Sequence, residues 1–344
     1  MYKEKSSQIV YLDVLRFLAT IAVVVLHVCG KGIYLNLFTY DWYVSVAGDS
    51  IVRWAVPIFV MISGALLLRP EKEVTINNIV KKRIPRLLLA YVFWSLAYTF
   101  LSEMMASVFK GTQFHLTLSD FRPHFHLWFL PMLMSVYVFI PLVRKIVVDK
   151  KVVKYTLIVW FLYCVVCQLG SVGNVSPRVI DWVGIELSSV FGYIGYFILG
   201  YVLSRTTLSK KQRNVVYLLG VIGVVGIIMG TCVHTKYLDS FSEAFYNNKS
   251  PLVVWVSMAV FVAVKENSSK YGRKTEKMLV SVRNDLFGVY LVHAFWLMVI
   301  NVPKYRDICD HIISLPLIAI VVFVLSLLTA KVIRLIPYFR KVVE

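Results

Sequence analysis

Apolar stretches of the length of a membrane span recur along the chain from residue 9 to residue 339, separated by short polar stretches. A helix needs about 20 predominantly apolar residues to cross a bilayer. The pattern therefore predicts ten helices, at residues 8–29, 46–68, 84–107, 126–147, 152–170, 186–204, 214–234, 249–264, 285–302 and 312–336. Because no polar stretch between them is long enough to fold separately, we predict a single all-α transmembrane domain over residues 1–344.

The composition excludes an ordinary soluble protein. Hydrophobic residues make up 58% of the chain and charged residues only 16%, whereas soluble domains carry about 25% charged residues. The 5 cysteines are scattered and odd in number, which excludes a disulfide-rich secreted domain. Cys164 and Cys167 form a C-x-x-C pair inside an apolar segment, without a second pair. We interpret them as small packing residues and predict no metal site.

The net charge of +18 is explained by topology. If the N-terminus is cytoplasmic, 27 of the 37 basic residues fall on the inner side and 8 on the outer side. The positive-inside rule requires this asymmetry, so we predict that both termini are cytoplasmic. A nucleic-acid partner has no support from the sequence, because the basic residues follow the ends of the predicted spans.

Three ionisable residues, Asp13, Arg16 and His27, interrupt the first apolar segment. They argue against a cleaved signal peptide, which would also end in a small-residue cleavage site. On a helix, Arg16 and His27 project within about 20° of one another and lie about 16 Å apart along the axis, with Asp13 on the same side. Such residues are expensive in hydrocarbon and generally serve a function. The alternative is an Asp13–Arg16 ion pair that snorkels to the inner interface, with His27 at the outer headgroups.

Five segments in order resemble the membrane-bound acyltransferase 3 family of multispanning O-acyltransferases. The first runs from Leu12 to His27 and is similar to the family's signature of an arginine, ten residues and a histidine. The remaining segments resemble its "F-x-x-S-G", "R-x-x-R", "H-L-W-F-L" and "Y-L-x-H" motifs, and they lie at residues 56–64, 82–87, 126–131 and 287–293. Together the five segments span nearly the whole chain.

This resemblance implies an acyl donor, usually acetyl-CoA, on the cytoplasmic side of a bacterial plasma membrane. The acceptor would be a hydroxyl of a cell-envelope saccharide or lipid-linked sugar at or beyond the membrane. Membrane lipids surround such a protein, and a second copy of the chain or a separate acceptor-presenting protein are further candidate partners. Lys82, Arg83 and Arg86 would bind the phosphates of coenzyme A. Topology alone also places basic residues there.

The residues that would carry out acyl transfer lie on the first predicted helix. His27 is the best candidate for the base that removes the acceptor proton, and a covalent acyl-imidazole on His27 is the alternative. Arg16 would stabilise the oxyanion or bind the pyrophosphate of the donor, and Asp13 would orient Arg16.

Candidate substrate-binding residues lie on other segments: Ser63, His126, Trp128, Tyr290 and His293. His126 and Trp128 adjoin a histidine- and aromatic-rich stretch, residues 121–125, that suits a sugar face. Trp128 equally fits an interfacial aromatic belt, and His293 equally fits an interhelical hydrogen bond. Asp49 and Arg53 are further candidates for the lining of the same cavity.

A second class of function stays open at this point. A polar stripe inside a helical bundle also describes the substrate path of a transporter or flippase for a polar solute or glycolipid. The basic inner end together with His27 favours the enzyme, and we detect no inverted repeat. Binding of acetyl-CoA to the purified protein would distinguish the two classes.

Overall fold

A computed structural model describes residues 2–34, 36–111, 113, 123–173, 187–300 and 310–343, and this part of the chain is helical with no β-strand. The longer helices are numbered α1 to α13 in chain order. They are α1 (Tyr2–Ile33), α2 (Tyr40–Val52), α3 (Ala55–Leu67), α4 (Ile84–Lys110), α5 (Phe129–Val138), α6 (Ile140–Ile146), α7 (Lys150–Val172), α8 (Leu187–Arg205), α9 (Lys210–Leu238), α10 (Pro251–Glu266), α11 (Arg273–Val282), α12 (Leu286–Val299) and α13 (His311–Leu335).

All ten predicted segments contain helix, so the all-helical fold class is confirmed. Within the described residues, six helical stretches are long and apolar enough to cross a membrane, or seven if the bent pair α5–α6 counts as one span. Two shorter apolar stretches, Val190–Arg205 and Leu286–Val299, fall below that length. The count of ten spans and the cytoplasmic location of both termini therefore stay predictions.

Two predicted spans are broken by prolines. The segment predicted at 46–68 begins earlier and consists of α2 and α3, which are separated at Arg53 and Trp54. Pro57 has no N–H to donate to the carbonyl of Arg53, four residues before it, so the helical hydrogen-bond pattern is interrupted there. Likewise, α5 and α6 meet at an angle of 56°. Pro141 leaves the carbonyl of Tyr137 without its helical partner at that bend.

Side-chain caps fix the starts of several helices. The side chain at the N-cap accepts a hydrogen bond from a backbone N–H of the first turn, which would otherwise have no partner. Ser209 at the start of α9 forms a full capping box with Gln212. The other capping residues are Thr39 for α2, Asp149 for α7, Ser250 for α10 and Asp310 for α13.

The periphery of the bundle is apolar, as a protein surrounded by lipid requires. Large apolar side chains are exposed along α4, α7, α9 and α13, where an isolated chain in water would keep polar residues. In α9 they include Leu218, Val221, Val225 and Met229. These helices therefore form the outer wall of the bundle.

Helix α1 lies in the interior. It contacts α2, α3, α10, α11, α12 and α13, so the stripe of ionisable residues predicted on it faces protein rather than lipid along much of its length. Asp13 is buried and His27 is half-buried.

Two glycines bring α3 and α8 into backbone contact. A Cβ on Gly64 would lie 1.8 Å from the carbonyl oxygen of Phe197, and one on Gly200 would lie 2.1 Å from that of Met61. Only glycine fits at such a distance. Gly64, in the segment at residues 56–64, thus has a packing role beside the candidate substrate-binding residue Ser63.

Candidate functional site

A cavity of about 330 Å³ opens between α1, α3, α4, α5 and α12. Its walls are mostly apolar, with four cationic side chains: Arg16, Lys72, Arg83 and Arg86. We call the end of the bundle at Lys72, Arg83 and Arg86 the basic end. Five of the predicted site residues line this one cavity: Arg16, Ser63, Arg83, Arg86 and Tyr290.

Arg16 is paired and still reaches the cavity. Its guanidinium donates to Oδ1 of Asp13 at 2.8 Å, and 31% of its side chain is exposed. The ion pair expected for a snorkelling arginine is therefore present, but Arg16 also lines the cavity wall. Asp13 itself lines a smaller adjoining cavity of about 280 Å³ together with Arg16, Arg283 and Asn284.

A local change in helix geometry precedes the basic residues of α4. Residues Ile79–Arg83 form a π-helical turn before Pro85, which cannot donate to the carbonyl of Lys81. Arg83 and Arg86 line the cavity, whereas Lys82 is exposed and does not. Desolvation, with the positive charges of Arg83 and Arg69 nearby, lowers the pKa of Lys72. The basic end is thus a crowded cationic site that favours an anionic ligand.

Tyr290 belongs to both the cavity and the histidine cluster described next. The first turns of α12 contribute three residues to the cavity wall: Leu286, Phe287 and Tyr290. His293 lies one turn beyond Tyr290 on the same helix. The hydroxyl of Tyr290 donates to the backbone carbonyl of His126 at 2.5 Å. Its ring centre lies 5.6 Å from that of His126 and 6.0 Å from that of His293.

Beyond Tyr290, His27 and His293 are hydrogen-bonded to each other. Nδ1 of His27 lies 2.8 Å from Nε2 of His293, and Nδ1 of His293 lies 2.6 Å from the carbonyl oxygen of Tyr290. A carbonyl only accepts, so Nδ1 of His293 carries the hydrogen and its Nε2 accepts one from His27. Nε2 of His27 is then left as an unprotonated nitrogen. It has no hydrogen-bond partner in the described part of the chain.

A second pair of imidazoles lies against the first. Nδ1 of His124 is 2.9 Å from Nδ1 of His126, and Nε2 of His126 is 3.3 Å from the carbonyl oxygen of Leu291. The rings of His126 and His293 are 5.0 Å apart, which joins the two pairs into one cluster. His126 is therefore an interior residue that supports this cluster, and it does not open toward a solvent-facing rim.

Trp128 lies apart from the cluster. It is 43% exposed, and its ring packs near Phe129 and Tyr193. Among the described residues, no ring contact joins Trp128 to His126, Tyr290 or His293. Residues 121 and 122 of the predicted aromatic rim lie outside the described residues.

Polar contacts that join α2, the segment after α9 and Tyr34 were only partly expected. Asp49 and Arg53 form an ion pair, and the Arg53 guanidinium lies 3.8 Å from the ring centre of Tyr246. Glu243 of the same segment accepts a hydrogen bond from Tyr34. Asp49 and Arg53 were predicted as candidates for the cavity lining, but they do not line the cavity of about 330 Å³. Nothing in the sequence pairs Glu243 with Tyr34, because 209 residues separate them.

The cysteines and histidines show no metal-site geometry in the part of the chain that is described. Cys164 and Cys167 are free and buried. The four imidazoles of the cluster bond to one another and to backbone carbonyls of α12.

A bundle of apolar helices with an interior histidine pair and an adjoining basic cavity places the chain among multispanning membrane proteins that carry ionisable groups inside the bundle. The family model described as an acyltransferase domain matches residues 9–334. The chain therefore belongs to the acyltransferase 3 family, as its motifs indicated. No match was found among curated proteins or among solved structures.

Proposed function

We propose that this membrane acyltransferase moves an acyl group, most simply acetyl, from acyl-CoA to a hydroxyl of a cell-envelope saccharide or lipid-linked sugar. Family membership supports acyl transfer in general. The observation that carries the finer proposal is the continuity of the site: a cavity with a cationic end leads to Tyr290, which contacts the imidazoles that hold His27.

The donor fits the cavity by its chemistry. Coenzyme A carries phosphates at one end and a thioester on an uncharged arm at the other. Arg83, Arg86 and Lys72 would bind the phosphates through charge-assisted hydrogen bonds. The apolar wall between Phe59 and Phe129 would hold the arm, with the thioester directed toward Tyr290.

His27 would perform the transfer through its Nε2. As a base, this nitrogen would take the proton of the acceptor hydroxyl while the hydroxyl oxygen attacks the thioester carbon. As an acyl carrier, it would attack that carbon itself and hold the acyl group until the acceptor arrives. In both forms His293 fixes the ring and its tautomer through the 2.8 Å hydrogen bond.

Purified protein in detergent provides the test. Calorimetric titration with acetyl-CoA should show saturable binding, and [14C]acetyl-CoA with a bacterial envelope extract should give labelled saccharide. His27→Ala should keep donor binding and lose transfer by about 100-fold or more, since a base contributes about 10²–10⁴ to the rate. A protein that fails to bind acetyl-CoA would instead fit the transporter class, and near wild-type transfer by His27→Ala would remove His27 from the chemistry.

A further inference from the structure

The two histidine pairs have the same hydrogen-bonding arrangement. His293 bonds the carbonyl of Tyr290 and His126 bonds that of Leu291, the next residue of α12. Each of these anchored rings turns its second nitrogen to a further histidine, His27 in one pair and His124 in the other. Two short chains of imidazoles therefore start from consecutive backbone carbonyls.

The carbonyl of Leu291 sets the hydrogen positions of the second chain of imidazoles, as that of Tyr290 does for the first. Nε2 of His126 donates to the carbonyl of Leu291, so Nδ1 of His126 accepts from Nδ1 of His124. This leaves Nε2 of His124 unprotonated, as it leaves Nε2 of His27. Among the residues that the structure describes, none hydrogen-bonds Nε2 of His124. The cluster thus offers two nitrogen bases.

The two free bases belong to one site. The ring of Phe125 contacts both, with centres 5.0 Å from His27 and 4.5 Å from His124. His124 also stacks on Tyr98 at 4.4 Å, and the hydroxyl of Tyr98 donates to the carbonyl of Leu291. The ring of His124 is therefore held by a stacking contact with Tyr98 and a hydrogen bond to His126.

A two-step transfer needs a nucleophile for its first step and a base for its second. Once Nε2 of His27 carries an acyl group, it has no lone pair for the acceptor proton, and its Nδ1 is bonded to His293. We propose that His124 is the general base of the second step and accepts the proton of the acceptor hydroxyl on Nε2. This inference rests on the proposed function in its acyl-carrier form.

The proposed reaction has two steps. In the first, Nε2 of His27 bonds to the thioester carbon, the carbon–sulfur bond breaks, and the thiolate of coenzyme A leaves. In the second, the acceptor O–H gives its proton to Nε2 of His124 while its oxygen bonds to the acyl carbon. The carbon–nitrogen bond breaks, and its electron pair returns to His27. The proton on His124 then passes to water, which restores the resting protein.

The test separates the two half-reactions. Wild-type protein and His124→Asn are mixed with [14C]acetyl-CoA, quenched rapidly and measured for label on the protein. Discharge of that label is then followed in buffer, where water is the hydroxyl probe, and with added hydroxylamine, a nucleophile that needs no base. Asn keeps an N–H donor for His126 but has no basic nitrogen. His234→Asn is the matched control, because His234 is a buried histidine bonded to Ser242 outside the cluster.

We expect His124→Asn to become labelled as wild type does and to discharge to water about 100-fold more slowly, with hydroxylamine discharge unchanged. Equal discharge to water by the two proteins would overturn the proposal. So would a wild type that acetylates envelope extract without ever carrying label, because His27 would then be the base in a direct transfer and the proposed function would stand. A wild type that never consumes acetyl-CoA contradicts the proposed function itself.

Discussion

Nδ1 of His27 and Nε2 of His293 lie 2.8 Å apart, although 266 residues separate them in the chain. The hydrogen bond joins the first long helix, α1, to the last-but-one, α12. Because His293 is itself anchored to a carbonyl, the pair sets which nitrogen of His27 is free.

Removing that anchor should slow the reaction without weakening donor binding. In His293→Ala, His27 loses the partner that holds its ring, and misplacement of a reacting group by about 1 Å can reduce the rate about 100-fold. We expect kcat to fall by about that factor with KM for acetyl-CoA unchanged. Steady-state kinetics against His234→Ala as a control would check this, and equal losses in the two variants would indicate a general packing effect.

Arg16→Lys distinguishes a snorkelling arginine from a functional one. Lysine keeps the charge and the pairing with Asp13 but loses the planar fork that binds an oxyanion or pyrophosphate at two points. We expect transfer to fall by about 10-fold or more, since one charge-assisted hydrogen bond contributes about 1.5–3 kcal/mol. If Arg16 serves only its ion pair, transfer by Arg16→Lys will match that of wild type.

Arg83 and Arg86 should dominate donor affinity. Replacing both with Gln removes two charged contacts from the cavity wall, and we expect acetyl-CoA to bind about 10- to 1,000-fold more weakly. Lys210 and Lys211 provide a matched control, because they line a separate cavity with Asn214. Titration calorimetry on both double variants is the measurement. Equal affinities would leave Arg83 and Arg86 with a purely topological role.

Gly64→Ala should destabilise the bundle. The added Cβ meets the backbone of Phe197 at 1.8 Å, and overpacking of this kind costs about 1–3 kcal/mol or more. Gly30→Ala is the control, since its Cβ would meet nothing within 4 Å and alanine favours helix. Thermal unfolding in detergent should show a lower Tm for Gly64→Ala alone. A normal Tm for that variant would mean that α3 and α8 can separate without loss.

The predicted topology can be tested at Lys274 of α11. With both termini cytoplasmic, a single cysteine placed there in a cysteine-free background should react only with membrane-permeant reagents in intact cells. A cysteine at Lys236 should react with impermeant reagents as well. Labelling of the Lys274 site by impermeant reagents would show that the predicted orientation in the membrane is wrong.

The sequence predicted the residues that conflict with their surroundings. Arg16 and His27 are polar groups in an apolar segment, so the periodicity of α1 alone placed them on one face. The pairing of His27 with His293 depends on how α12 packs against α1, and no local pattern encodes it. The π-helical turn Ile79–Arg83, which contains Lys82 and Arg83, was not predicted, because apolar periodicity does not encode it.

Tyr290 stands where the cavity ends and the imidazoles begin, and this position bears on the electrical state of the membrane. Moving one elementary charge across a membrane potential of 100 mV takes about 2.3 kcal/mol. In the proposed reaction, the phosphates stay at the basic end, and the thiolate of coenzyme A keeps the electron pair of the broken carbon–sulfur bond. The acyl group therefore leaves one positive charge on the ring of His27. With the acceptor proton released on the outer side, each turnover would carry one positive charge past the packed rings around Tyr290, and the rate of acylation should depend on the membrane potential.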